Sequence, residues 1–346
     1  MEAVEARELL STDVLTYHND LSRSGANTTE TILNRSNVNS TSFGLKLSLP
    51  VMGQVYAQPL YVSNLKFPDK SIHNVVYVAT EHDQVYAFDS DSGAQLWHFS
   101  VIKKGQTPIP ATDTGSDDIT PEIGITSTPV IYQNRGIIYF VANLKITANS
   151  QYITRLYALN IVTGAYKSHM PVNIQASSPG TGNGSNNGTI DFQPLIEGQR
   201  PAISLYNGVV YVAFASHGDM GPYHGWLLGF SATTLQLVSN WNATPDGGLG
   251  GIWESGGGVA VDSSGNLYVA TGNGTFDADT GGDDYGDSVV KIPSSGGSFS
   301  PSDYFTPFNQ ATLEGLDQDF GSTGVLLLPT QGGAHPNELI VGGKEG

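Results

Sequence analysis

The strongest constraint on this chain is a turn-and-aromatic ending that returns at a long, nearly regular interval. Tyr86-Ala-Phe-Asp89 runs through Gly93 to Trp97, Leu156 to Gly164 matches it well, Leu227 to Leu235 moderately and Val289 to Gly297 weakly. Aligned on Gly93, Gly164, Leu235 and Gly297, the copies stand 71, 71 and 62 residues apart. Such a period marks an internal repeat, each copy being one supersecondary unit that buries its apolar faces only by stacking on the next. Within the ending, Asp89 can accept hydrogen bonds from the turn amides, Gly93 supplies a positive φ, and Trp97 offers a flat surface to a neighbour.

Upstream of each ending lies an apolar run, a short turn and a Tyr-containing run. These are Gly124–Ile131 with Gly136–Val141, Pro201–Leu205 with Gly208–Ala213, and Gly257–Val261 with Asn266–Ala270; a fifth pair begins at Gly324–Leu328 and Glu338–Val341. Their lengths and their Gly, Pro, Asn and Asp boundaries predict β-strands. In the first unit the predicted strands are Gly44–Leu49, Val55–Val62, Asn74–Thr80 and Gln84–Asp89.

Repeated four-stranded antiparallel units predict an all-β chain folded as a β-propeller, with about five blades present and the ring incomplete. Stacked β-sandwiches are the competing architecture, but they need no common ending in every unit. An open arc leaves an unpaired end, so the sequence reads as a piece of a longer propeller truncated at its C-terminus, or as one half of a homodimer that closes the ring. Residues 1–12 read as a disordered or tag-like N-terminus and residues 13–346 as the propeller domain. The polar, turn-rich stretch from Asp13 to Asn39 reads as a strap lying across a preformed surface.

Composition narrows the function. Fifteen basic against 32 acidic residues give a net charge of −17, which repels nucleic acid and anionic membrane surfaces. With 42 glycines and only 14% charged residues the chain suits many tight turns. There is no cysteine, hence no disulfide and no thiolate metal site. No apolar run reaches the roughly twenty residues that a membrane-spanning helix needs.

The stretch from Gly250 to Asp287 carries the densest chemistry. Trp253 precedes three consecutive glycines, and Asn273 sits at a strand end before Asp277, Asp279, Asp283, Asp284 and Asp287. Those oxygens suit a hard cation such as calcium, but the twelve-residue calcium-loop pattern is missing and a solvated acidic loop is the simpler reading. His217 and His224 are close in sequence, and Glu122 and Glu254 are carboxylates whose separation would decide a glycosidase reading. No nucleophile elbow, His-Glu-x-x-His or phosphate loop is present.

Tyr17-His-Asn-Asp20, Asn37-Val-Asn39, Gln58-Pro-Leu60, Val75-Val-Tyr-Val-Ala79 and the segment from Tyr86 to Trp97 together resemble the quinoprotein β-propellers. The best-studied members of that family are the pyrroloquinoline-quinone (PQQ) alcohol dehydrogenases. The resemblance extends from about Val14 to the C-terminus and is strongest to uncharacterised secreted bacterial PQQ-like proteins. It implies that Trp97 belongs to a tryptophan-docking motif latching one blade to the next. It also implies an oxidoreductase using PQQ and calcium on a small alcohol or sugar, in the periplasm or outside the cell. In that pattern Trp253 is the floor under the quinone, Asn273 a calcium ligand, Lys344 the cation at the quinone oxygens, and Asp319 or Asp317 the base. The family's glutamate ligand falls at Met220, with Asp219 one residue away as the metal-binding candidate. The adjacent-cysteine disulfide and haem-attachment motif of the alcohol dehydrogenases are missing. A non-catalytic propeller that binds a protein or glycan partner is the alternative reading.

Overall fold

The computed structural model describes residues 13–167, 171–295, 297 and 299–346. The tag-like segment, residues 1–12, lies outside the described residues. Strands dominate, in chain order β1 (Leu60–Lys66), β2 (Ile72–Thr80), β3 (Gln84–Asp89) and β4 (Gln95–Ser100), forming one antiparallel sheet in the order β1-β2-β3-β4. The second blade has β5 (Gln106–Pro110), β6 (Glu122–Ile123), β7 (Val130–Tyr132), β8 (Ile137–Ile146), β9 (Gln151–Asn160) and β10 (Val172–Asn173). Both β7 and β5 pair with β8, one at each end, so the inner strand of this blade is split. A hairpin of β11 (Ser177–Pro179) and β12 (Thr189–Asp191) leads to the third blade: β13 (Ser204–Tyr206), β14 (Val209–Phe214), β15 (Trp226–Ser231) and β16 (Leu237–Asn242). The fourth blade is β17 (Ala260–Val261), β18 (Asn266–Ala270), β19 (Val289–Pro293) and β20 (Asp303–Phe305), and β21 (Leu326–Leu327) with β22 (Leu339–Ile340) starts a fifth unit.

The protein is thus an all-β propeller of four-stranded antiparallel blades. Its hydrophobic cores lie between successive blades, which explains the continuous apolar strands. Along β8, Ile138, Phe140 and Ala142 face the core shared with the first blade, whereas Ile137, Tyr139 and Val141 face the core shared with the third. The same two-residue alternation sends Val210, Val212 and Phe214 of β14 backwards and Tyr211 and Ala213 forwards. A strand buried on both faces has no polar side to show, so its sequence is apolar throughout.

The recurrent tyrosine joins the blades. Tyr77 Oη donates to Ile161 O at 3.0 Å, from first blade to second, and Tyr139 Oη donates to Ala232 O at 2.7 Å, from second to third. Tyr211 meets Ser294 between the third and fourth. The fourth blade departs from this pattern, since Tyr268 Oη donates to Asp262 within its own sheet at 3.0 Å. Trp97 reinforces the first junction: its Nε1 donates to Ile161 O at 2.9 Å and its ring lies on Gly164, where a Cβ would come within 2.7 Å of the indole.

One predicted boundary is corrected. Gly44–Leu49 forms no strand; the first blade starts at Leu60 and takes Gln95–Ser100 as its fourth strand. Residues 44–49 have the right alternation but no neighbouring strand to complete their hydrogen bonds, and Leu49 and Val51 rest instead on Tyr86 and Phe88. The N-terminal stretch does run as a strap. Val14 bridges Tyr61, Leu15 O accepts from Ile131, Leu21 O from Val261 and Ser22 O from Leu327, so one strap touches the inner strands of the first, second, fourth and fifth units. The third is reached by Arg23, whose buried guanidinium donates to the hydroxyls of Ser204 and Thr16 and to the carbonyls of Val259, Gly258 and Tyr17. Helices are short, α1 (Ala111–Thr114) and α2 (Gln310–Gly315), and no described helix is long and apolar enough to cross a membrane.

Candidate functional site

Blade four and the start of the fifth unit bring four residues from distant positions into one network. Asn273 follows β18, where Gly272 lets the backbone close on the segment carrying Asp317 and Asp319. The Asn273 amide N–H donates to Asp319 Oδ1 at 2.9 Å and its side-chain Nδ2 donates to Asp317 Oδ1 at 2.6 Å. Lys344 Nζ lies 2.6 Å from Asp319 Oδ2 and 3.4 Å from Asp317 Oδ2, and also donates to Asp317 O at 3.1 Å. Burial lowers the lysine pKa, but Asp319 and Asp317 outweigh it and leave the ammonium above its ordinary value. Asp319 is almost fully buried, with both oxygens engaged, whereas the Asp317 side chain is 65% exposed.

Trp253 adjoins this network. A Cβ on Gly272 would meet Asp319 Oδ1 at 2.3 Å and Trp253 Cδ1 at 2.8 Å, and one on Gly251 would meet Trp253 Nε1 at 2.9 Å, so the indole lies in a cradle that only glycine leaves open. Tyr223 stands edge-on to the indole at 6.1 Å, and the Arg200 guanidinium lies 5.6 Å from the ring centre. Asp219 is linked through Tyr223, whose hydroxyl donates to Asp219 Oδ1 at 2.6 Å. The Asp219 pKa is raised, first by partial burial of the carboxyl and further by Asp319 and Asp317, which puts it within electrostatic reach of the network. Two polar atoms here are buried without partners, Asn273 Oδ1 and Trp253 Nε1. Buried polar groups are ordinarily paired, so each is an open valence in the site.

The six residues that the resemblance assigns to a site thus lie in one region, Asp219 being joined to the others only through Tyr223. The indole and the held ammonium are groups that a flat, electron-accepting ring can use. For a cation, Asn273 Oδ1 is free, but Asp219 turns an oxygen to Tyr223, and among the described residues no group of three or more His, Asp or Glu stands together as a metal site. The acidic loop after Asn273 is engaged with backbone amides: Asp277 Oδ1 accepts from Asp284 N, Asp284 Oδ1 from Asp246 N, and Asp287 Oδ1 from Phe320 N. His217 and His224 have separate surroundings, His224 pairing with Thr244 and with Asn183 O. Glu254 is buried, accepts from Ala270 N, and has its pKa raised by burial to about 7; Glu122 instead pairs with His82 at 2.7 Å. Arg200 and Tyr223 carried no motif in the sequence and emerge only from the folded arrangement.

By sequence the chain matches no family model and no curated protein. Solved structures do match. Quinohemoprotein alcohol dehydrogenases from Comamonas testosteroni and Pseudomonas putida HK5 superpose with TM-scores of 0.62 and 0.61 at 17% and 16% identity. The fold is that of the quinoprotein dehydrogenase propellers. A europium-containing methanol dehydrogenase superposes with a TM-score of 0.56 at 14% identity. Each match covers 95% of this chain but only 45%, 44% and 54% of the respective solved chains, so the sequence spans about half the length of the structures it resembles.

Proposed function

We propose that this quinoprotein-like propeller contributes the quinone site of an oxidoreductase acting on an alcohol or sugar. The observation that carries the reading is the convergence of Trp253, Asn273, Asp317, Asp319 and Lys344 on one partly buried centre with unfilled hydrogen-bonding valences. When bound, PQQ would supply a two-electron acceptor for hydride. The Trp253 indole is the kind of flat apolar group on which such a ring stacks, and Gly251 and Gly272 let it seat where a Cβ would collide with it. Lys344 holds a positive charge fixed by two carboxylates, a preorganised source of electrostatic stabilisation. Asp319 positions Lys344 and Asn273, and the exposed carboxylate of Asp317 is the group available to take a proton from a substrate hydroxyl. No step is routed through a cation, because the donor set around Asn273 Oδ1 is incomplete.

Titration with PQQ, with and without calcium, followed by tryptophan fluorescence, tests this directly. Saturable quenching that disappears in Trp253→Ala supports it, as does alcohol-dependent dye reduction in the loaded protein. Quenching that survives Trp253→Ala, or no saturable binding, overturns it and favours a second reading, a protein-binding scaffold. That alternative draws on one observation: Phe43, Leu45, Met52 and Tyr56 form an exposed apolar stretch before the first blade.

A further inference from the structure

The turn that carries Trp253 is held to the strand that leads to Asn273 by a side chain outside the network described above. Inner strand β17 pairs with β18 only through Ala260–Tyr268 and Val261–Leu267. Continuing that register sets Gly258 opposite Ala270, but there the chain turns to the third blade: Gly258 bridges Ala202, and Gly257 O accepts from Ala202 N at 2.7 Å. Thr271 N donates towards β19, to Ser288 O, so the Ala270 amide points to the side where β17 has ended. Glu254 Oε1 takes the place of the missing carbonyl, accepting from Ala270 N at 3.0 Å. Arg23 meets the opposite shortfall, donating to Gly258 O at 3.2 Å and to Val259 O at 3.1 Å. Where β17 stops, an anionic acceptor and a cationic donor thus finish its hydrogen bonding, both almost fully buried and each favouring the other's charge.

The position is unfavourable for a glutamate. Its φ is +49° and that of Ser255 is +44°, left-handed geometry that residues other than glycine rarely adopt, and its Oε2 is buried without a partner. Strain of this kind persists where the surroundings over-determine it, and here they do so beside Trp253. At the other end of the turn, Gly251 O accepts from Gly272 N at 2.9 Å. Trp253 therefore lies between two ties to one strand end, Gly251 to Gly272 and Glu254 to Ala270, immediately before Asn273. With the Glu254 tie cut, only one of these would hold the indole in register with the Asn273 and Asp319 network.

We propose that Glu254 is a positioning residue, fixing the Trp253 indole against the Asn273 and Asp319 network through its hydrogen bond to Ala270. The tie is read without quinone; only its use in holding one rests on the proposed oxidoreductase function. The full chain is labelled with fluorotryptophan, and the four fluorine resonances are assigned by single Trp-to-Phe substitutions. Glutamate, glutamine and alanine face a similar backbone cost at this φ, so variants at 254 differ chiefly in the side chain. Glu254→Ala is expected to displace the Trp253 resonance, to leave those of Trp97, Trp226 and Trp241 in place, and to speed amide exchange at Ala270 about tenfold. Glu254→Gln, which keeps an acceptor for Ala270 N, is expected to bring the Trp253 resonance back towards its wild-type position. If Glu254→Ala fails to fold, Glu254→Met, which fills the space without an oxygen, replaces it, and protection of the Ala270 amide in the wild-type protein is a readout that needs no variant. An unmoved Trp253 resonance in a folded Ala or Met variant, a displacement in Glu254→Gln as large as in Glu254→Ala, equal displacement of all four resonances, or an unprotected wild-type Ala270 amide overturns the proposal. In the wild-type protein, failure to bind PQQ would sink the oxidoreductase reading and leave the fluorine result standing, so the two failures are distinguishable.

Discussion

At the scale of single residues, the site depends on missing side chains as much as on those present. Gly272 has ordinary backbone geometry, so its identity is explained by space: the methyl of alanine would collide with Asp319 Oδ1 and the edge of Trp253. Neither neighbour can give way easily. Asp319 is held by Asn273 N and Lys344 Nζ, and Trp253 is confined by Tyr223 and Gly251. Gly272→Ala is therefore expected to destabilise the fold by about 1–3 kcal/mol and to abolish PQQ quenching; a variant with wild-type melting and wild-type quenching would contradict this account. Trp253, Asn273 and Lys344 were recognisable from their local motifs. Arg200 was not, because nothing in Gly-Gln-Arg-Pro announces that the guanidinium will lie against an indole 53 positions further along.

At the scale of elements, the N-terminal strap acts as a tie between blades. Polar and without regular strands, it meets the inner edges by one or two backbone hydrogen bonds each and anchors through Arg23. Burial draws the Arg23 pKa down to about 10, while Glu254 and Asp20 oppose the shift. Arg23→Ala leaves the carbonyls of Gly258 and Val259 and the Ser204 hydroxyl with fewer donors in a buried setting. A loss on the order of 3 kcal/mol is expected, accompanied by faster amide exchange at Val261 and Leu327, where the strap's neighbouring carbonyls accept. Unchanged exchange at those two amides in a folded variant would show that the strap rests on the blades without tying them. The Tyr latches act likewise between successive sheets at the first two junctions, and Trp97 adds to the first.

At the scale of the whole molecule, buried carboxyls set the response to pH. Burial is the leading cause of raised pKa values at Glu81 and Glu254, to about 7, Glu197, to about 8, and Asp284 and Asp287, to about 6. A carboxyl whose folded pKa exceeds its unfolded value near 4 binds more protons when folded, so its stabilisation is present at low pH and lost as pH rises through 6 to 8. Asp89 acts oppositely: burial raises its pKa, but Ser92, His73 and turn amides outweigh it and hold the group at about 2, a contribution lost below about pH 4. The melting temperature should therefore be highest near pH 5 and fall towards pH 8, a trend reinforced by the net charge of −17. A melting temperature that rises from pH 5 to pH 8 would refute this assignment. The repeat made the blades legible from sequence, since strands packed on both faces must be apolar throughout and must end in similar turns. The cluster around Trp253 was legible as a set of residue types, through resemblance. The lack of strand pairing at residues 44–49, the blade-spanning route of the strap and the contact of Arg200 with Trp253 were decided only in three dimensions. Each depends on which neighbour supplies the missing hydrogen bond or charge, and a linear pattern records what a residue can bond, not what it finds.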